Sequence, residues 1–401
     1  MNAQLIQSYG CGDWVLNLEC FDSHGIVAGM SNGFIKLFPF ADQKGLAGGS
    51  LSSFKAHDGA VNKLIAINEN TLASCGNDGM VKIWDLRQPL KSDQSQPIAV
   101  MKNQRGLPFL SLDVGHGLIA SGTALKGQDS ELILWDLKNP DTCIRTFKDS
   151  HHDDITEIRF HPTRSDLLLS GSTDGYVNIY DLKMEDEEDA LLQVINFDSI
   201  HSANFLSENR IYSLSHMETL LVDELVNTTI EETEGVVEST PDKYGDVREK
   251  WGCEYVVDLY APGYICCGSN TKRELKLFHF DPLKEDFAQL GNTQSIKFPE
   301  AHGDEVVRDM AIYNNIVYTA GEDSTVKAWK LPCNLTETTH TFFGSQKQLR
   351  NNENRHEHKH EHEHKHEHKH EHKHEHKHEH EHKHSHKHNH KHKHPARFKP
   401  Y

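Results

Sequence analysis

Apolar and polar residues alternate with a period of two in short runs along the first 345 residues, and the runs end alike. Six of them are FIKLF (34–38), VKIWDL (81–86), LILWDL (132–137), VNIYDL (177–182), LKLFHF (275–280) and VKAWKL (326–331). Each carries an aromatic residue near its end: Phe38, Trp84, Trp135, Tyr180, Phe278 or Trp329. Apolar residues such as Val81 and Ile83, or Val326 and Ala328, precede it on the opposite strand face. This alternation predicts strands packed on both faces. The aromatics are spaced 46, 51, 45, 98 and 51 residues apart, close to the roughly 40–50 of a four-stranded repeat unit, with the long gap fitting two units. Within that gap RIYSLSHMETLLVDEL (210–225) has the same layout, and Val222 and Asp223 fall where Trp and Asp stand elsewhere. Seven units are expected.

Upstream of the aromatic strand, TLASCGNDGMVKIWD (71–85), LLLSGSTDGYVNIYD (168–181) and VYTAGEDSTVKAWK (317–330) share a small-residue strand and a tight turn containing Asp. Asx and Gly suit such turns because they tolerate positive φ. These blocks resemble the WD-repeat family, whose blades carry a His, Ser/Thr, Asp, Trp hydrogen-bonded tetrad. The resemblance implies an all-β, seven-bladed WD-repeat β-propeller over 1–345. It places tetrads at His57, Ser74, Asp78 and Trp84; at His151, Ser170, Asp174 and Tyr180, where Tyr departs from Trp; and at His302, Thr319, Asp323 and Trp329. A Ser, His and Asp together also suggest a hydrolase. The same trio at one register in three repeats fits a structural network and not a single active site, and no GxSxG elbow occurs. No catalytic residue and no required cofactor are expected.

The other blades diverge. Blade one (about 13–40) has Phe38 without a tetrad His, blade three (about 104–137) replaces the tight turn with ALKGQDSE (124–131), blade five lacks the aromatic, and blade six (about 251–280) keeps Cys267-Gly268-Ser269 and Phe278. Outer strands are read at 51–56, 97–102, 143–148, 191–197 and 293–298. Blade seven has no evident one, and the amino-terminal QLIQSY (4–9) is expected to supply it and so close the ring. More narrowly, SHHDDITEIRFHP (150–162) followed by SGSTDGYVNIYDL resembles the WD repeat-containing protein 89 family, which implies a propeller scaffold and little more.

Charge bears on the partner. Residues 351–401 hold 12 of the 42 Lys and Arg and 9 of the 60 Asp and Glu, so the body carries −21 and the tail +3. An acidic body repels nucleic acid and membrane surfaces and attracts basic proteins. In the family the loops before each innermost strand and the tight turns share one rim, where Asp58, Asp153, Asp154, Asp304 and Glu305, with Asp78, Asp174, Glu322 and Asp323, form a candidate acidic collar. Further acid lies in 184–190 and in 223–240, the latter read as a partly flexible insertion. No basic leader precedes an apolar core and no run reaches about 18 apolar residues; a soluble intracellular protein of nucleus and/or cytoplasm is expected. The eight cysteines form no CxxC pair, and reduced thiols are expected, Cys266 and Cys267 pointing to opposite strand faces.

The segment 346–401 reads as a disordered low-complexity tail, since it has almost nothing apolar to bury. Every second residue from 356 to 394 is histidine: His356, His358, His360, His362, His364, His366, His368, His370, His372, His374, His376, His378, His380, His382, His384, His386, His388, His390, His392 and His394. Neutral imidazoles ligate Zn²⁺, Ni²⁺ and Cu²⁺, and the tract gains positive charge on mild acidification. An expanded repeat without a role is the alternative.

The sequence is expected to encode a non-enzymatic interaction scaffold for other proteins, chiefly basic ones, without nucleic acid or membrane contact. The competing reading is metal binding or buffering by the tail.

Overall fold

A computed structural model describes residues 1–41, 52–90, 95–127, 129–226 and 241–335. All belong to the first of two units, Met1–Leu349 and Arg350–Tyr401; the tail and its histidines lie outside the described residues. The first unit is a seven-bladed β-propeller in which, among the described residues, strands form seven four-stranded antiparallel sheets. Blades one to six each use four strands in chain order, with innermost strands Val15–Phe21, Val61–Asn68, Phe109–Gly115, Ile155–Phe160, Ile200–Ser207 and Tyr255–Tyr260. Blade seven begins at Val307–Tyr313.

Its outermost strand is Gln4–Gly10, antiparallel to Thr325–Lys330 with Tyr9 opposite Val326. The amino terminus therefore closes the ring, as the sequence led one to expect. It also reaches blade six, where the Ala3 N–H donates to the Lys297 carbonyl at 2.8 Å and the Lys297 N–H donates back to Met1 at 2.8 Å. Blade five takes its outer strand, Asp242–Asp246, from beyond residues 227–240, which are not described.

Each sheet is buried on both faces because the core is divided among the seams. The seven apolar clusters among the described residues each join two consecutive blades; Phe21, Val27, Phe54, Leu72 and Trp84 fill the seam between one and two. In blades two, four and seven the aromatic of the third strand lies in the seam to the preceding blade and meets an aromatic of that blade's outer strand. Ring centroids are 4.8 Å apart for Phe54 and Trp84, 4.6 Å for Phe147 and Tyr180, and 5.4 Å for Phe298 and Trp329. This geometry corrects the reading of blade five. Leu221 faces the preceding seam and Val222 the following one, while Asp223 pairs with Ile211 as Trp84 pairs with Leu72. Asp223, not Val222, stands at the aromatic position. Three consecutive apolar residues, Leu220 to Val222, hide the register from any period-two reading.

Every innermost strand carries a β-bulge just after its start, at Leu16, Asn62, Leu110, Thr156, His201, Val257 and Arg308. A bulge re-aims side chains across the sheet edge, and next to each one a polar tie runs to the neighbouring blade. Asn17 donates to the Val61 and Asn62 carbonyls, Asn62 to Phe109, Ser111 to Ile155 at 2.7 Å, Thr156 to Ile200 at 2.7 Å, and His201 to Val257 at 3.0 Å. Between six and seven, Tyr255 and Tyr260 hydroxyls accept from Val307 and Met310 N–H; Asp309 then accepts from Leu18 N–H at 2.7 Å to complete the circuit.

Candidate functional site

Strands alternate in direction, so the loops before the innermost strands and the turns between second and third strands share one end of every blade, here called the upper face. Three blades anchor that face through their tetrad residues. In blade two His57 Nδ1 lies 2.8 Å from Asp78 Oδ1 and Nε2 lies 2.7 Å from Ser74 Oγ, which also accepts from Trp84 Nε1 at 2.9 Å. Blade seven repeats this with His302 to Asp323 at 2.7 Å, His302 to Thr319 at 2.8 Å and Trp329 to Thr319 at 3.0 Å. In blade four His151 reaches Asp174 at 2.9 Å and Ser170 at 2.7 Å, and the Tyr180 hydroxyl takes the indole's place 3.2 Å from Ser170 Oγ.

The protonation that satisfies these groups is a neutral imidazole donating from Nδ1 to the carboxylate and accepting the hydroxyl proton at Nε2. Burial holds His57 and His302 below their ordinary value despite the adjacent carboxylates, which favours that form. Burial pushes the Asp78 carboxyl up, but His57 and Lys82 outweigh it and hold it well below the usual carboxylate range. Such an arrangement resembles a catalytic triad in composition only. The hydroxyl is fully buried and already accepts from an indole, so it presents no nucleophile to a substrate.

A further member of the network was missed in the sequence. Lys82 Nζ donates to the Ala56 carbonyl and to Asp78 at 2.9 Å, and Lys327 does the same for Ala301 and Asp323. Lys36 and Lys276 reach the matching carbonyls of Cys11 and Gly252, and Asn178 that of Ser150. The signal was present: lysine two positions before the aromatic in four of the six aligned strands.

The candidate rim residues separate by what they touch. Asp304 is held by Arg273 through two hydrogen bonds, of 2.8 and 2.9 Å, and Glu322 pairs with Arg308. Asp154 accepts the Leu125 N–H at 2.7 Å, and Asp153 accepts the Asp154 N–H. Asp58 and Glu305 are exposed and form no ion pair among the described residues. A continuous acidic collar is therefore not what the chain builds. Among the described residues Asp58, Asp149, Asp153 and Asp198 over blades two, four and five, and Glu305 over blade seven, form no ion pair, while arginines pair with Asp304 and Glu322 beside blades six and seven. The acidic run 184–190 is likewise partly structural: Asp186 caps a short helix, Glu187–Ala190, and Glu187 accepts from Lys148 and Asp149 N–H at 2.9 Å and from the Ser150 hydroxyl.

Relatives agree with this architecture. The family profile "WD domain, G-beta repeat" matches residues 48–85 and 141–181, which include the tetrads of blades two and four. An uncharacterized WD repeat-containing protein of Saccharomyces cerevisiae is 41% identical over 351 residues, covering 85% of each chain. The chain belongs to the WD-repeat family. It is also similar to a WD repeat-containing protein 89 homolog of Dictyostelium discoideum, 36% identical over 211 residues and covering 52% of this chain and 53% of that one. The WD40 propeller domain of Doa1 shares the fold with a TM-score of 0.56 at 13% identity, covering 82% of this chain and 97% of that one. WD-repeat propellers generally serve as protein-interaction scaffolds.

Proposed function

We propose that this WD-repeat chain is a non-enzymatic scaffold that docks a basic protein on the part of its upper face formed by blades two, four and five. The supporting observation is the distribution of carboxylates: Asp58, Asp149, Asp153 and Asp198 lie there without an ion pair among the described residues, whereas Asp304 and Glu322 are tied to arginines. Long-range attraction from a body of charge −21 favours encounter with a basic partner. Pull-down with the full chain should recover basic proteins and release them as salt rises. Changing Asp58, Asp149, Asp153 and Asp198 together to Lys should abolish recovery while the melting temperature holds. Retention of the partners by that variant would refute the docking face.

The alternating histidines support a second reading, in which the tail binds divalent metal through many equivalent registers. Calorimetric titration of the full chain with Zn²⁺ at neutral pH should show several ions bound, fewer as pH drops below the imidazole range. Deletion of 351–401 should remove them while leaving protein partners bound. A full chain that takes up no more Zn²⁺ than the deletion ends this reading.

A further inference from the structure

Blade six holds two cysteines where the complete blades hold a histidine and a hydroxyl. The lysine two positions before each aromatic fixes the correspondence: Lys82 donates to the carbonyl just before His57, and Lys276 donates at 2.8 Å to the Gly252 carbonyl, just before Cys253. In the second strand Cys267 lies opposite Lys276 as Ser74 lies opposite Lys82. The Glu254 N–H donates to the Gly268 carbonyl at 2.8 Å, so the residues following the two cysteines are bonded to each other. Cys253 and Cys267 share the apolar cluster between blades five and six, and both are free thiols. Neighbouring Cys266 faces the opposite seam.

We propose that Cys253 and Cys267 are a peroxide-responsive thiol pair that closes reversibly into a disulfide within blade six. Cys253 is the attacking sulfur because it sits at the blade end and is 9% exposed, whereas Cys267 is 0% exposed. The neighbouring Cys267 thiol, aided by the Lys276 ammonium and opposed by burial and Glu218, holds the Cys253 thiol below its ordinary value. The thiolate is the reactive form. The Cys253 thiolate attacks one oxygen of hydrogen peroxide, the O–O bond breaks, and hydroxide leaves, giving a sulfenic acid on Cys253. Cys267 sulfur then attacks Cys253 sulfur; the S–O bond breaks and the departing hydroxyl takes the Cys267 proton as water. The two sulfurs together supply the two electrons that reduce the peroxide. A cellular dithiol reverses the step by exchange.

The test treats the native full chain with hydrogen peroxide, alkylates the remaining thiols after unfolding, and cleaves before Asp258, which separates Cys253 from Cys267. A linked peptide pair, two hydrogens lighter than its separate parts and released by reductant, is expected in the wild type and in Cys266→Ser. Cys267→Ser should lose the linkage and accumulate a sulfenic acid on Cys253 that dimedone traps. The proposal is overturned if Cys253 and Cys267 stay fully alkylatable under a treatment that consumes the exposed Cys143 and Cys333, or if Cys253 is linked to any other cysteine. The wild-type arm decides should a variant fail to fold.

Discussion

Blades two, four and seven are each closed by a tetrad, whereas blades five and six lack one and share a large apolar seam crossed by hydrogen bonds from His201 and Ser202. In the first group an imidazole, a hydroxyl, a carboxylate and an aromatic satisfy one another inside each sheet. In the second no such set exists, and the seam between the blades is filled by Trp251, Phe278, Phe280, Phe287 and Leu290 instead. Short helical turns at Arg248–Trp251 and Phe287–Asn292 deliver Trp251, Phe287 and Leu290, and the Trp251 indole donates to the Phe287 carbonyl at 3.0 Å. The contrast shows that one blade geometry tolerates two solutions to the same demand, a fixed connection between the loop before the innermost strand and the sheet behind it.

The largest expected effect falls on the polar solution. Trp84 is 1% exposed and its indole N–H is spent on Ser74. Trp84→Ala removes a buried aromatic and leaves a shared hydroxyl with one partner fewer, so it should cost about 3–5 kcal/mol. Urea titration of the full chain measures it. Val222→Ala, which removes only two methyl groups from the seam between five and six, should cost about 1–2 kcal/mol. Equal losses would mean that the tetrad adds nothing beyond ordinary packing.

What could be read in the sequence follows the same division. The polar blades announce themselves, because His, Ser or Thr, Asp and an aromatic at fixed separations leave few alternatives, and even Tyr180 fits once its hydroxyl meets Ser170. Ring closure was legible because a strand was missing at one end of the chain and spare at the other. Blade five was misread by one residue, since Leu220, Leu221 and Val222 are all buried and the sequence does not say which faces which seam. The ties at Asn17, Ser111, Thr156 and His201 were invisible because a bulge interrupts the alternation exactly where they sit. Pairing of Arg273 with Asp304 joins loops of different blades, so Asp304 looked available when it is not.

An intermediate effect belongs to the tetrad carboxylate. Burial pushes Asp323 up, and His302, Thr325 and Lys327 outweigh it, holding the carboxyl at about 2 against an ordinary 3.8. A carboxylate that binds its proton less readily when folded stabilises the fold above about pH 4, and this contribution disappears as pH falls through about 2. The difference corresponds to about 2 kcal/mol. Asp323→Asn should therefore lose about that much at neutral pH and show a flatter acid limb between pH 4 and 2 in a series of urea titrations. His302 acts at higher pH: burial lowers its value, so the unfolded chain gains a proton that the folded one resists, and stability declines as pH drops below about 6.5. An unchanged acid limb in Asp323→Asn would assign acid sensitivity to other carboxylates.

The smallest effect separates the two regions most cleanly, because it compares the same residue in the same place. Ser213 occupies in blade five the position of Ser74 in blade two: each lies ten residues before the aromatic position, now Asp223 in one and Trp84 in the other. Ser74 accepts from an indole and donates to an imidazole. Ser213 Oγ is buried and finds no hydrogen-bond partner among the described residues. Its desolvation is thus uncompensated, and replacing it by a methyl group removes a cost instead of an interaction. Ser213→Ala should be neutral or stabilising, within about 1 kcal/mol, while Ser74→Ala should destabilise by about 1–3 kcal/mol because His57 and Trp84 lose their shared partner inside the sheet. Parallel urea titrations of the two variants measure the difference. A destabilisation of Ser213→Ala equal to that of Ser74→Ala would show that Ser213 ties blade five as Ser74 ties blade two, and the contrast between the two positions would fall.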